Sequence, residues 1–127
     1  MGRRIALIAS APGVDTLLDY AIEFCRSQDA GLDLLVLGAW DAEAEAAMER
    51  INREGIDCRY LPLGGHPASE VAAYMANRSS LIFLLAAVGD ELAKTLLEKV
   101  IASSGRRLPV PLVYIEEKVN PDLKVDL

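Results

Sequence analysis

Side chains able to act as nucleophiles, general bases or metal ligands are scarce in this sequence. It has one histidine, His66, and two cysteines, Cys25 and Cys58, which stand far apart. Zinc sites draw on clustered cysteine and histidine, so this spacing predicts no metal site. Both thiols are expected to be buried as small apolar side chains, because free cysteine is among the most buried residue types. His66 precedes a predicted helix whose N-terminal dipole opposes a protonated imidazole, so a capping or loop role is expected rather than catalysis.

The glycines do not form a phosphate-binding motif. None of the nine fits the G-x-G-x-x-G pattern of dinucleotide-binding folds or the G-x-x-x-x-G-K-S/T pattern of a P-loop. A phospho-accepting receiver domain would need acidic residues at the end of its first strand, where this sequence has Ser10 and Ala11. No paired carboxylates indicate acid–base catalysis. With no catalytic residue to name, the sequence predicts a protein that is not an enzyme.

Length and charge narrow the class of protein further. The 127 residues carry a formal net charge of −6, and 52% of them are hydrophobic. This suits one domain with its own core, expected over residues 1–116, followed by a polar tail over residues 117–127. The acidic balance argues against binding to nucleic acid or to an anionic membrane. No segment approaches the roughly 18–20 unbroken apolar residues of a membrane span, and no signal peptide is recognised after Arg3 and Arg4, so a cytoplasmic location is expected.

Short apolar runs alternate with segments of helical periodicity. Between the runs, apolar residues recur every three or four positions, which predicts four helices. Strands separated by helices run parallel, so the expected fold is α/β, a three-layer α/β/α, Rossmann-like arrangement around an open five-stranded parallel sheet. The predicted strands are Arg4–Ala9, Leu32–Leu37, Ile56–Leu63, Leu81–Val88 and Val110–Ile115. The continuous apolar runs Arg4–Ala9 and Leu81–Val88 are typical of strands buried on both faces, whereas Pro62 indicates an edge position or the end of the third strand.

Local signals set the predicted helix ends. Gly31 is expected to end the first helix as a C′ glycine. Asp41 and Asp90 are expected to cap the second and fourth helices, and Pro67 to occupy the first position of the third. The fourth helix is predicted to extend through Ser104. Its inward face is predicted to carry Leu92, Leu96, Leu97, Val100 and Ile101.

Ligands of open α/β sheets bind outside the carboxyl ends of the strands. The candidate ligand-binding residues are therefore those that follow the first four predicted strands, namely Ser10, Ala11, Gly38, Trp40, Gly64, Gly65, His66 and Gly89. Trp40 could stack on an adenine or another flat ligand there. The alternative is that Trp40 covers the end of the sheet or joins a subunit contact, and this is the stronger expectation.

One long segment resembles a known family. Residues 61–88, LPLGGHPASEVAAYMANRSSLIFLLAAV, are similar to the universal stress protein pattern, in which a glycine-containing turn, a proline and a small-residue helix lead into an apolar fourth strand. The Gly65-His66-Pro67-Ala68 turn resembles the Gly-Asp-Pro-Ala turn of that family, with His66 in place of the aspartate. The order of elements agrees from Arg3 to about Glu116. The resemblance implies an adenine-nucleotide alpha hydrolase-like sheet of strand order 3-2-1-4-5 and a stress-response or regulatory role.

Two departures from the family pattern bear on ligand binding. Nucleotide-binding members end the first strand with an aspartate, where this sequence has Ser10, and follow the fourth strand with a glycine signature that wraps the phosphates. Here Gly89 leads directly into Asp90 and Glu91, and two carboxylates without a nest of backbone N–H groups repel phosphate. The resemblance thus implies a degenerate, non-ATP-binding type that has no cofactor and acts through protein contacts. The alternative is a switch that binds ATP or AMP in an atypical pocket, with phosphate on the amides near Pro67.

In that family the fifth strand lies at a sheet edge and commonly pairs across a two-fold axis, which implies a homodimer. A bare apolar edge strand is an aggregation hazard that a partner copy would remove. The alternative is a tail that folds back over the edge within one subunit. A weak hydrolase, a flavin electron-transfer domain and a regulator of a membrane transporter are further alternatives. The candidate interface residues are Val110, Leu112, Val113, Tyr114 and Ile115.

Overall fold

The structure is a computed structural model that describes residues 2–103, 105 and 108–116. The predicted tail, residues 117–127, and the predicted last residue of the fourth helix, Ser104, lie outside the described residues. Five strands and four helices alternate along the described chain. Their bounds are β1 Arg3–Ala9, α1 Asp15–Gln28, β2 Ala30–Val36, α2 Ala42–Arg53, β3 Cys58–Pro62, α3 Pro67–Ala76, β4 Leu81–Ala87, α4 Glu91–Ser103 and β5 Leu112–Ile115.

The strands form one parallel sheet of order β3-β2-β1-β4-β5. In the central strand β1, Ile5, Leu7 and Ala9 pack with buried residues of α1 and α2 on one face. The intervening Ala6 and Ile8 pack with buried residues of α3 and α4 on the other. A strand covered on both faces has to be apolar at successive positions, which is why a continuous apolar run predicts it. The three-layer architecture and the strand order are both confirmed.

Most helix ends follow their local signals. Asp41 caps α2, since its Oδ1 accepts a hydrogen bond from the Ala44 N–H at 2.9 Å. Asp90 caps α4 in the same way, through the Ala93 N–H at 3.1 Å, and α3 begins at Pro67. These side chains satisfy backbone donors that the helix itself leaves unpaired.

The prediction for Gly31 is wrong. Helix α1 is capped instead by Asp29, a non-glycine residue in the left-handed region with φ 53°. Gly31 lies within β2, opposite Arg4 of β1. A Cβ at Gly31 would overlap Nη1 of Arg4 and would lie 2.8 Å from the carbonyl oxygen of Asp57. The glycine therefore provides space for a close approach rather than a helix stop.

The inward face of α4 is partly wrong as well. Leu92 is 66% exposed, whereas Ala93, Leu96, Leu97 and Val100 are buried. These four residues form a stripe at spacings of three and four, and Leu92 lies beside it rather than on it. Three strands are shorter than predicted: β3 spans only Cys58–Pro62, β4 ends at Ala87 and β5 begins at Leu112. No helix among the described residues is long and apolar enough to span a membrane.

Candidate functional site

The candidate site lies at the carboxyl edge of the sheet, the edge at which the parallel strands end. Four loops meet there, formed by residues 10–14, 37–41, 63–66 and 88–90. Backbone N–H groups in such loops and at helix N-termini bind anions readily. What these loops can bind therefore depends on whether their N–H groups are already hydrogen-bonded.

The loops after β1 and β4 are joined by one carboxylate. Asp90 accepts a hydrogen bond from the Ser10 N–H at 2.7 Å and another from the Ser10 hydroxyl, also at 2.7 Å. The same carboxylate caps α4 through Ala93. Asp90 thus binds one N–H group of the first turn of α4 and the backbone donor at the end of β1, both of them groups that an anionic ligand could use in this crevice.

A second carboxylate occupies the loop after β3. The Gly64 N–H donates to Glu70 Oε1 at 2.5 Å, and the His66 N–H donates to Glu70 Oε2 at 3.2 Å. Glu70 belongs to the first turn of α3 and reaches back to the residues before the helix, much as a capping-box side chain does. Two of the amides near Pro67, the alternative position for a phosphate, are therefore already bound to a carboxylate.

A third carboxylate lies against the loop after β1. The side chain of Glu43, in the first turn of α2, covers Gly13 so closely that a Cβ at Gly13 would overlap Glu43 Cγ. Together with Glu70 and Asp90 it places three negative charges along this edge. We call Glu43, Glu70 and Asp90 the edge carboxylates.

Beside them is a mainly apolar cavity of about 520 Å³. It lies between the end of β2, the β3–α3 loop and the first turns of α3 and α4. Its size and apolar walls are typical of a small-molecule site. It is lined by Leu37, Gly38, Gly65, His66, Pro67, Ala68, Ser69, Leu92, Thr95, Leu96 and Lys99.

The structure brings together only part of the predicted ligand-binding set. Gly38, Gly65 and His66 line the cavity. The other predicted ligand-binding residues do not line the cavity; they are Ser10, Ala11, Trp40, Gly64 and Gly89. Ser10 and Gly64 instead donate to edge carboxylates, which removes them as free ligand donors.

Trp40 covers the end of the sheet. Its ring packs on Tyr60 of β3 with the centroids 3.7 Å apart, and its Nε1–H donates to Glu45 Oε1 at 3.0 Å. The indole therefore has both an aromatic neighbour and a hydrogen-bond acceptor within the chain. One ring face of Trp40 is thus covered by a tyrosine of the same protein.

Solved structures with this architecture include universal stress proteins. The one from Archaeoglobus fulgidus superposes with a TM-score of 0.61 at 17% identity, over 89% of this chain and 93% of that one. A universal stress protein in complex with cAMP gives a TM-score of 0.58 at 19% identity, over 91% of this chain and 97% of that one. The chain has the universal stress protein fold. No family model matches its sequence, and no curated protein does.

Within this fold the fifth strand lies at one edge of the sheet, next to β4. Ile115 is buried, Val110, Leu112 and Val113 are half-buried, and Tyr114 is 39% exposed. Val113 packs against the cluster beneath α1 and α2, and Val110 and Leu112 pack against the cluster beneath α3 and α4. Of the candidate interface residues, Tyr114 is the most exposed.

A buried ionic network in the first two strands was not predicted from the sequence. Arg4 and Asp33 pair at 2.7 Å although they are 6% and 0% exposed. Tyr74 donates its hydroxyl proton to the other oxygen of Asp33 at 2.5 Å, and Arg4 also reaches Asp57 at 2.9 Å. The sequence does carry a signal for this network: Arg4 and Asp33, which have opposite charges, interrupt two otherwise apolar runs near the starts of adjacent strands.

Burial and the neighbouring carboxylates shift the pKa values of Arg4 and Tyr74 in this network. Burial by itself lowers the pKa of Arg4, but its bonds and charge interactions with Asp33 and Asp57 reverse the effect and raise it. Burial and then the hydrogen bond to Asp33 raise the pKa of the Tyr74 hydroxyl. Arg4 is therefore charged and Tyr74 neutral at any physiological pH.

The two cysteines are free and buried, as predicted. Desolvation raises the pKa of Cys25 to about 11 and that of Cys58 to about 12. Thiols with such pKa values contribute little thiolate near neutral pH, so they are poor nucleophiles. Among the described residues no group of three or more histidine, cysteine, aspartate or glutamate side chains could hold a metal ion.

Proposed function

We propose that this protein is a small cytoplasmic regulator of the universal stress type that acts through protein contacts, as a homodimer and without nucleotide turnover. The observation that supports this best is the Asp90 bridge between Ser10 and the start of α4. It puts a fixed negative charge where the resemblance would place polyphosphate. The free thiols support a reducing compartment.

The edge carboxylates oppose phosphate in two ways. Each brings a negative charge that repels an oxyanion at close range. Glu70 and Asp90 also engage N–H groups of these loops and of the first turn of α4. To bind those N–H groups, phosphate would have to break charge-assisted hydrogen bonds worth roughly 1.5–3 kcal/mol each. A ligand that must displace both side chains loses most of the free energy that a phosphate-binding loop supplies.

Calorimetric titration with ATP and with AMP tests the absence of nucleotide binding. We expect no saturable heat from the wild type at millimolar nucleotide. In Asp90→Gly and Glu70→Gln the carboxylate is gone, and binding should rise above that of the control Glu98→Gln, which removes a charge from α4 away from the edge. Micromolar binding by the wild type would overturn the proposal.

The homodimer is proposed at the β5 edge. Tyr114 offers exposed aromatic surface on an edge strand, and such edges pair readily with a second copy. Light scattering after size exclusion should give a dimer for the wild type and a monomer for Tyr114→Lys. Tyr20→Lys is the matched control, because Tyr20 is similarly exposed, at 43%, but lies on α1. A dimer that survives Tyr114→Lys would refute the edge contact.

A nucleotide-binding switch is the second candidate function, and the apolar cavity favours it. Its 520 Å³ could hold a nucleoside beside Gly38 and His66, and one protein of this fold was solved in complex with cAMP. Nucleotide that co-purifies would skew the absorbance towards 260 nm. Leu92→Glu places a carboxylate on an exposed wall of the cavity and should abolish such binding without unfolding the chain. If the absorbance ratio is that of protein alone, this candidate fails.

A further inference from the structure

A second cavity, of about 420 Å³, lies at the opposite edge of the sheet, where the strands begin. Four of the thirteen lysine and arginine residues line it. This concentration of guanidinium groups is unexpected in a chain of net charge −6. The hydrogen-bond donors around the cavity come mainly from Arg3, Arg4, Arg59, Arg78, Ser79 and Ser80.

The inner wall of this cavity is fixed by Arg4. Its guanidinium donates to Asp33, to Asp57 and to the carbonyl oxygen of Leu32 at 2.8 Å. Gly31 leaves it the space to do so. Because its donors are directed to these partners, Arg4 holds the wall rigid and its charge is largely neutralised.

The other arginines retain unused donors. Arg78 lies over the Tyr74 ring at 5.0 Å, and its Nη1 is 3.8 Å from Asp33 Oδ2, beyond hydrogen-bond distance. Arg59 makes one contact, at 3.4 Å, with Asp57. Among the described residues no hydrogen bond engages the guanidinium of Arg78, although its side chain is only 31% exposed.

The turn before β4 adds neutral donors. Ser79 and Ser80 follow Arg78 directly, and within the described part of the chain neither their hydroxyls nor their N–H groups donate a hydrogen bond. The Ser80 carbonyl instead accepts from the Arg4 N–H at 2.9 Å, which fixes the turn against β1. Hydroxyl and N–H donors beside guanidinium forks are the groups that bind tetrahedral oxyanions.

We propose that this cavity binds a phosphate group, either as inorganic phosphate or as the phosphoryl end of a small metabolite. Arg78 and Arg59 would supply planar, charged donor pairs, which match phosphate oxygens better than an ammonium does. Asp29 and Asp57 also line the cavity; they limit the excess of positive charge and so favour a ligand of one phosphate over a polyphosphate. This site is independent of the carboxyl edge and of the function proposed there.

Amide NMR titration of the full chain tests the site, with inorganic phosphate and glycerol 3-phosphate as separate probes and chloride at matched ionic strength as the reference. We expect saturable shifts at Gly31, Arg59, Ser79 and Ser80 with phosphate and none with chloride. Tighter binding of glycerol 3-phosphate would identify a phosphorylated metabolite as the ligand, and equal or weaker binding would identify free phosphate.

Variants separate the site from general charge effects. Arg78→Gln should weaken phosphate binding about tenfold or more, the factor expected for one lost charge-assisted bond. Lys94→Gln removes one positive charge from α4 at the other edge and should change it less than twofold. Arg78→Lys keeps the positive charge but loses the planar donor pair of the guanidinium, so its phosphate affinity should lie between those of the other two variants. A thermal melt of each variant confirms that it is folded. Shifts that do not saturate, or equal losses in Arg78→Gln and Lys94→Gln, would overturn the proposal.

Discussion

Replacing Asp90 with alanine tests how the carboxyl edge is held together. The substitution removes three hydrogen bonds at once: two from Ser10, each at 2.7 Å, and the α4 cap on Ala93 at 3.1 Å. Asp41→Ala is the matched control, because Asp41 makes the cap on α2 at 2.9 Å but no bond to a distant strand. The difference between the two variants isolates the link between β1 and α4.

The expected magnitude comes from these bonds. Loss of an N-cap costs about 1 kcal/mol, which is the whole effect expected for Asp41→Ala. Each charge-assisted bond from Ser10 is worth roughly 1.5–3 kcal/mol when it is fully buried. Because both bonds are half-buried, we take half of that value for each, which gives about 1.5–3 kcal/mol for the pair beyond the cap. Asp90→Ala should therefore lower the free energy of unfolding by about 2.5–4 kcal/mol.

Urea unfolding at neutral pH, followed by circular dichroism, measures both variants, with equal m-values required for the comparison. Ser10→Ala, made both in the wild type and in Asp90→Ala, completes a double-mutant cycle. The coupling free energy between Ser10 and Asp90 should be at least about 1 kcal/mol. If Asp90→Ala costs no more than Asp41→Ala, the bridge contributes nothing and the account of the edge is wrong.

Other substitutions test the buried parts of the fold. Gly31→Ala should destabilise the protein by about 1–3 kcal/mol, because the new methyl group would overlap the side chain of Arg4. Gly65→Ala is the control: no atom lies within 4 Å of its new Cβ, so it should be neutral in the same urea assay. Tyr74→Phe should cost about 1.5–3 kcal/mol, since it removes a hydrogen bond to a buried carboxylate; an unchanged midpoint would contradict this. Cys25 and Cys58 should resist alkylation at pH 8 until the chain unfolds, and rapid alkylation of the native protein would refute their burial. Because burial raises the pKa values of both thiols, they ionise more readily in the unfolded chain, so the free energy of unfolding should fall as pH rises from about 9 towards 11–12.

Sequence alone was sufficient for the features that depend on neighbouring residues. The cap of Asp90 on α4 was predicted because it lies at the start of a periodic segment. Its bond to Ser10 was not, because the two residues are 80 positions apart and meet only when β1 and β4 pair. The role of Glu70 was missed for a related reason: a glutamate in a first turn predicts helix stability but not which loop N–H groups it will bind.

Gly31 and Arg4 illustrate a different limit. A glycine after a helical segment is a sound stop signal, but the same residue type also serves where two groups approach closely. Only the path of the Arg4 side chain distinguishes the two uses, and that path depends on pairing with Asp33 across two strands. Leu92 shows a similar limit. It is adjacent in sequence to Ala93, which is buried, yet Leu92 itself is exposed and lines the cavity.

The most direct test of the central claim, that the chain's own carboxylates occupy its phosphate-binding groups, is a crystal structure grown with millimolar ATP. The account predicts that both bonds from Ser10 to Asp90 persist at 2.7 Å and that no phosphate density lies at the start of α4. A phosphate oxygen on the Ser10 N–H, with the Asp90 side chain turned away, would contradict it.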